Sequence, residues 1–333
     1  YMDSLTQIIL GAAVGEAVLG KKVGNKAMLY GAIAGTIPDL DIFTSYFTDT
    51  VTAISIHRGF THSFVFAVLF AFIFGWIVSK YEIYKSFKGW SWLFFWAFFT
   101  HSILDTHTTW GTQVFWPFDL RIAFKTIFVI DPLYTVPFLV FLMLAMFQNR
   151  TAKKRRCYNN AGLIISSTYL ALTFLLKWIA FNQFESALEK QQINYIQLDT
   201  RPSPLNTILW SANVATEDSY LLANYSFFDT KPITFESYPK NHHLLGNLVE
   251  NKKVKRMISI SEGWYIISQD NGNLYFNDLR FGLLSLEPKS ENFVFKYKIE
   301  VDNLGKLTFT EEPKGRPDGK KLLSDLWVRL KGN

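Results

Sequence analysis

The 333-residue chain has a single cysteine, Cys157. No internal disulfide is possible, so the fold does not depend on an oxidising compartment. It also lacks a P-loop, a dinucleotide-binding glycine motif and a serine nucleophile elbow, which leaves those three chemistries without their usual framework. The glycines of GAAVGEAVLG lie in an apolar run with no strand before them and read as packing positions. There is no solenoid-type repeat and no low-complexity tract. Charge is sparse: 19% of residues are charged, with a net charge of +6. The lysines and arginines gather in short loops between apolar runs, a signature of membrane topology rather than of a nucleic-acid-binding face, and no nucleic acid is expected. The first apolar run has an acidic leader, so no cleavable signal peptide is expected, and Tyr1 ahead of Met2 reads as a remnant.

What is abundant is apolar and aromatic sequence, 49% and 17% of the chain, unevenly spread. Residues 1–181 alternate apolar runs with short charged loops, whereas 182–333 have the composition of a soluble domain. The expected fold is a mainly α integral membrane bundle of about six apolar helices, over residues 5–19, 27–38, 62–79, 90–104, 127–147 and 161–181. A small, mostly antiparallel β domain follows outside the membrane. The first two runs are short for a bilayer and carry small-xxx-small pairs, Gly11/Gly15 and Gly31/Gly35, which predict a close helical hairpin. Basic residues follow the first, third and fifth runs: Lys21, Lys22 and Lys26; Lys80, Lys85 and Lys88; and Arg150, Lys153, Lys154, Arg155 and Arg156. By the positive-inside rule these loops are cytoplasmic, which puts both termini and the soluble domain on the outer side.

In the soluble part, residues 182–195 predict a short amphipathic helix. The runs ILWSANVA, YLLANYSFF, WYIISQ, LYFNDL, FVFKYKIEV and KLTFT predict strands. Asp270-Asn271-Gly272-Asn273 and Asn303-Leu304-Gly305-Lys306 predict hairpin turns, and SDLWVRL a short terminal helix or strand.

Four of the six histidines lie between Pro38 and Asp131, among acids and apolar sequence. Ionisable groups beside membrane segments are costly and read first as functional; imidazole and carboxylate together suit zinc or a similar divalent ion. His101 and Asp105, at i and i+4, share one helix face and would deliver two ligands to one ion. Asp39 and Asp41 follow Pro38 in a segment expected to be extended, so they would point opposite ways, one a ligand and the other its support. His57 and His62 are placed on a turn, His62 opening the third run beside Thr61 and Ser63 as caps. Arg58 suits a phosphate or carboxylate, or reaches to lipid headgroups. His107, Asp119 and Asp131 are weaker candidates, the two aspartates doubling as turn caps. Asp3, Thr6 and Gln7 sit at the same end. Glu16, about 15 Å from that end, is expected to pair with Lys21 or Lys22. His242-His243 reads as surface, and Asp278 to Gly282 as an ion pair at a strand end.

These stretches resemble a known family, the YdjM-like membrane-bound metal-dependent hydrolases. The resemblance rests on Met2-Asp3-Ser4-Leu5-Thr6-Gln7, Gly35-Thr36-Ile37-Pro38-Asp39-Leu40-Asp41, His57-Arg58-Gly59-Phe60-Thr61-His62-Ser63 and His101-Ser102-Ile103-Leu104-Asp105 with Gly111. Arg201-Pro202-Ser203-Pro204 and Asp278 to Gly282 resemble the C-terminal extension of one subgroup. More distantly, the order Asp, His, HxxxD is similar to zinc-dependent phospholipase C. The resemblance implies a bacterial inner-membrane hydrolase acting on a phosphoester or ester of a membrane lipid. It implies one to three divalent ions, zinc or else manganese. The phospholipase resemblance would make Asp39 or Asp41, His57 or His62, His101 and Asp105 the ligands; His107 could complete a second metal position, and Asp39 (or Asp41) is expected as base with Arg58 steadying developing charge. The alternative reading is a non-catalytic transporter or scaffold with a structural metal.

Overall fold

A computed structural model of the chain describes residues 4–285, 290–303, 305–313 and 319–333. Asp3 and Leu304, which figure in the expectations above, lie outside the described residues. The chain forms two compact units. The first comprises Tyr1–Phe43, Ile56–Leu175 and Pro204–Thr207, the second Thr44–Ser55, Leu176–Ser203 and Ile208–Asn333.

In the first unit, α1 (Ser4–Val23) and α2 (Asn25–Thr36) are joined by Gly24 alone, at φ 66°. Only glycine adopts that backbone cheaply, so the reversal needs no longer loop. The two helices then press backbone to backbone: a Cβ on Gly11 would overlap the Gly31 carbonyl, and one on Gly15 the Ala27 carbonyl. This is the hairpin predicted from the glycine spacing. After α3 (Thr50–Ile56), which falls in the second unit up to Ser55, come α4 (Phe64–Tyr81), α5 (Phe87–Asp105), α6 (Pro132–Met146) and α7 (Lys153–Lys190), whose part from Leu176 on belongs to the second unit. α4 and α7 are long and apolar enough to cross a membrane, while α6 is apolar but has 15 residues. α6 starts later than the predicted run because Asp131 caps it, its carboxylate accepting from the Leu133 and Tyr134 amides ahead of Pro132.

Polar contacts collect at the two ends of this bundle. At one, Glu16 takes two hydrogen bonds from Arg155, at 2.6 and 2.5 Å, and Arg155 also reaches Asn25. The expected partners, Lys21 and Lys22, stand off the face of α1 that carries Glu16. Gly20 clears the way for the carboxylate, since a Cβ there would overlap it, and a buried acid is better matched by a planar two-pronged guanidinium. At the other end Thr6 bonds Thr135 at 2.7 Å, and Asp131 accepts from the Tyr169 hydroxyl at 2.8 Å.

α7 is 38 residues long, about 57 Å of continuous helix. The predicted break near residue 181 and the separate helix over 182–195 are therefore corrected: AFNQFESALEK contains no glycine or proline to stop the helix. The second unit holds two four-stranded antiparallel sheets, each in chain order. The first runs β1 (Gln197–Pro202), β2 (Leu209–Ala215), β3 (Ser219–Ser226), β4 (Glu236–Pro239). The second runs β5 (Tyr265–Asp270), β6 (Asn273–Leu283), β7 (Phe293–Val301), β8 (Leu307–Glu311). Six strands match the predicted runs. β1 and β4 were not predicted, because one ends on Arg-Pro and the other spans four residues, too little for an alternation to show. The β5–β6 hairpin turns on Asn271 and Gly272, both at positive φ as a two-residue turn of this type requires. Two helices, α8 (Lys252–Ile260) and α9 (Gly319–Leu330), complete the unit, α9 taking in SDLWVRL. His243 is exposed as expected. His242 is half-buried, stacked on Tyr265 at 3.9 Å between ring centres.

The hairpin packing gives a direct test. Gly15→Leu or Gly31→Leu should destabilise the detergent-solubilised protein by about 2–3 kcal/mol or more, read as a fall in melting temperature. Gly319→Ala, which meets nothing within 4 Å, should leave it unchanged.

Candidate metal centre

Four side chains meet at the end of the bundle opposite Glu16. Asp39 comes from a 3-10 segment, Pro38–Tyr46, directly after α2. His62 closes a short 3-10 turn, Phe60–His62, before α4, whose first turn is capped by Ser63 accepting from Phe66 N–H. His101 and Asp105 lie one turn apart at the end of α5. The segment after Pro38 is not extended as predicted. Ile37 stays helical, at φ −60° and ψ −43°, and the Leu40 amide bonds Ile37 O. Proline's bias on the preceding residue is a preference, and here the 3-10 turn overrides it. Asp39 faces the Nε2 atoms of His62 and His101, whereas Asp41 lies on the other edge of His62, with Oδ2 3.5 Å from Nδ1.

The ligand-capable atoms of Asp39, His62, His101 and Asp105 all lie within 4.8 Å of one another. His62 Nε2 is 3.2 Å from His101 Nε2, 3.3 Å from Asp39 Oδ1 and 3.2 Å from Asp105 Oδ2. His101 Nε2 is 3.6 Å from Asp39 Oδ1 and from Asp105 Oδ2. Four donors bound at 2.0–2.1 Å around a tetrahedral ion stand about 3.3–3.4 Å apart, so the spacing matches such a cage.

The surroundings fix the donor atoms. His101 Nδ1 bonds the Gly35 carbonyl at 2.8 Å, one of the carbonyls left open where α2 stops. Nδ1 therefore carries the proton and Nε2 presents its lone pair inward. The Thr61 hydroxyl donates to Asp41 Oδ2 at 3.1 Å, so its own oxygen is free to accept from His62 Nδ1 at 3.0 Å. Both imidazoles thus offer Nε2, the arrangement that orients histidine ligands in metal sites. Asp105 Oδ1 is held by the Gln7 amide at 2.9 Å, while its wholly buried Oδ2 is approached by Arg58 Nε at 3.1 Å and His62 Nε2 at 3.2 Å without an aligned hydrogen bond. A buried carboxylate oxygen with no aligned donor is what an ion would satisfy. Three of the four residues are buried; Asp39, with its side chain 20% exposed, is the open edge.

Burial alone would lower the His62 imidazole. Its close contacts with Asp105 and Asp39 and the charges of Asp105 and Asp41 outweigh that and lift it to about 9. Burial likewise opposes ionisation of Asp39, yet His101 and His62 hold its carboxyl far below the usual range.

The remaining candidates are placed as follows. Asp41 accepts from His57 Nδ1 at 2.9 Å, from the Arg58 amide at 2.8 Å and from Thr61, so it braces the loop rather than joining the four. His57 is tied to Asp41 and stays outside the group, its ring centre 6.3 Å from that of His62. His107, two residues past Asp105, has turned off that face. Its Nδ1 bonds Ile103 O and its ring packs against Phe124 and Phe174. Asp119 accepts from Gln113 at 2.8 Å, and Asp131 caps α6. Arg58 is 1% exposed, so it does not reach for headgroups. Its Nε lies 3.1 Å from Asp105 Oδ2 and its Nη1 donates to Thr108 at 2.6 Å. It also sits at φ 55°, a left-handed backbone that costs an arginine on the order of 1–3 kcal/mol. The parts that sequence did not single out, the Gly35 carbonyl and Thr108, are backbone or common side chains with no distinguishing spacing.

The fold offers two helices long and apolar enough to cross a membrane, and a four-residue site, three of its members buried, that could hold a metal ion. The sequence profile of the YdjM inner membrane protein family matches residues 2–181, and the chain belongs to that family. No curated protein and no solved structure matches the chain.

Two measurements check the cage. His101→Ala and Asp105→Asn should each abolish tight binding of a divalent ion, measured as metal per chain, whereas His107→Ala should retain it. Cation and proton compete for His62 Nε2, so apparent affinity should rise about tenfold per pH unit up to pH about 9 and level off above it. In the metal-free protein the same raised imidazole stabilises the fold fully below its ordinary value of 6.5, and that contribution is lost as pH rises through about 9.

Proposed function

We propose that this protein is a metal-dependent hydrolase of the inner membrane, cleaving a phosphoester or ester bond of a lipid or lipid-linked substrate at the outer face. The observation that carries the reading is the four-donor cage with one exposed edge at Asp39: a closed structural site needs no such edge. Zinc is the ion that two imidazoles and two carboxylates at tetrahedral spacing suit best, with manganese as the alternative. When bound, such an ion supplies Lewis acidity and makes a nucleophile from water near neutral pH.

The protein's own groups do the rest. Asp105, clamped by Gln7 and Arg58, and His101, anchored on the Gly35 carbonyl, hold the cage rigid. Arg58 is a positioning residue in this reading, since its guanidinium is committed to Asp105 and Thr108. Asp39 takes one edge of the cage and meets the substrate side. In this reading His57, whose Nδ1 is held by Asp41, would take a proton at Nε2 as an imidazole does in an acid–base pair. Leu40, Phe43, Phe115, Phe118 and Leu120 are exposed on the segments flanking the site, which suits a site at headgroup depth. The basic loops, Lys21 to Lys26, Lys80 to Lys88 and Arg150 to Arg156, flank the opposite helix ends, and this supports a multi-pass chain with the site outside.

Purified protein loaded with zinc should release headgroup from phospholipid or a lipid-linked phosphoester, and chelation should stop it. His57→Ala should lower kcat about 10²–10⁴-fold with metal content unchanged. A zinc-replete protein that hydrolyses no member of a lipid panel would favour the scaffold reading instead.

A further inference from the structure

Two stretches of the second unit that the proposed hydrolysis leaves unused, Arg201-Pro202-Ser203 and Asp278 to Gly282, come together. Asp278 Oδ1 accepts from the amide and Nε of Arg280 at 3.0 and 3.1 Å, and Oδ2 from Nη2 at 2.7 Å. That is the ion pair predicted for this stretch, and it commits the Asp278 carboxylate to Arg280. Between Asp278 and Leu283, β6 advances five residues while its partner β7 advances two, from Phe295 to Phe293. A bulge of this kind re-aims side chains. Gly282, at φ 72°, lies on it, and a Cβ there would overlap Arg201 Nη2. The Arg201 guanidinium therefore rests on the bare glycine backbone.

Arg201 is 7% exposed, and among the described residues its side chain has no hydrogen bond and no ion pair; Nη1 is wholly buried with no partner. Burial pulls its guanidinium down to about 10 even though Asp199 and Asp278 act the other way. Leaving a buried guanidinium without a hydrogen-bonded partner is costly, and the fork of a guanidinium matches the paired oxygens of a phosphate or carboxylate. We propose that Arg201, seated on Gly282 beside the Asp278–Arg280 pair, is the binding site for one small oxyanion, of the phosphate or carboxylate type. This site is separate from the metal cage and stands whether or not that cage is catalytic.

The test uses full-length protein in detergent, stripped of metal by chelation so that the cage cannot bind the probe. Inorganic phosphate and acetate are titrated by calorimetry, with glycerol phosphate as a stand-in for a lipid headgroup. Saturable binding of any of the three that weakens tenfold or more in Arg201→Met supports the site. Tighter binding of glycerol phosphate than of inorganic phosphate identifies a headgroup as the source, and the reverse identifies a free anion. Should Arg201→Met fail to fold, Gly282→Ala, which crowds the guanidinium, serves in its place with the same expected loss. Absence of saturable binding to the wild-type protein, or binding unchanged in both variants, overturns the proposal and leaves Arg201 satisfied by water.

Discussion

The carboxylate of Asp105 is the contact on which the first unit's polar architecture depends. It is buried and meets Gln7 from α1, Arg58 and His62 from the loop before α4, and His101 from its own helix. A carboxylate cannot be kept charged away from water without such company, and the company in turn fixes where those segments lie. Gln7 ties the start of α1 to the end of α5, and His101, through Gly35, ties the end of α2 to both. The close glycine contact of α1 and α2 makes this possible, because Gly35 packs against the Gln7 carbonyl where any Cβ would intrude. Backbone packing and side-chain chemistry thus share residues.

The bundle keeps its two ends chemically distinct. Glu16 and Arg155 neutralise each other at one end, so the buried carboxylate there is already committed to a guanidinium. At the other end acids and imidazoles are gathered with the Arg58 guanidinium among them. Loss of a partner is felt differently at the two places. A broken pair at Glu16 strands one charge, whereas the cage has several ways to redistribute a proton among its members.

Much of this was legible in the sequence, for reasons that can be named. His101 and Asp105 were readable because helical periodicity fixes which residues share a face. Glycines four apart marked the hairpin, and Asn-Gly marked the β5–β6 turn. Where the reading failed, the deciding contact was remote in sequence. Glu16 found Arg155 rather than a neighbouring lysine, and Arg58 turned inward to Asp105. His107 follows Asp105 by two residues, yet the helix end swung it onto Phe124 and Phe174. Pro38 was a local signal that local structure overruled. α7 ran on because no breaker residue stood between its apolar and amphipathic parts, and β1 and β4 were too short or too polar to alternate.

The left-handed backbone at Arg58 sets two demands against each other. Glycine at that position would relax the chain, so natural drift on stability alone would favour it. It would also remove the permanent cation beside Asp105 Oδ2, leaving the titratable His62 imidazole there. A side chain kept where the backbone resists it marks position 58 as one where conformational ease has been given up for charge. Variant libraries ranked by folding yield would then enrich substitutions there that empty the pocket of its countercharge.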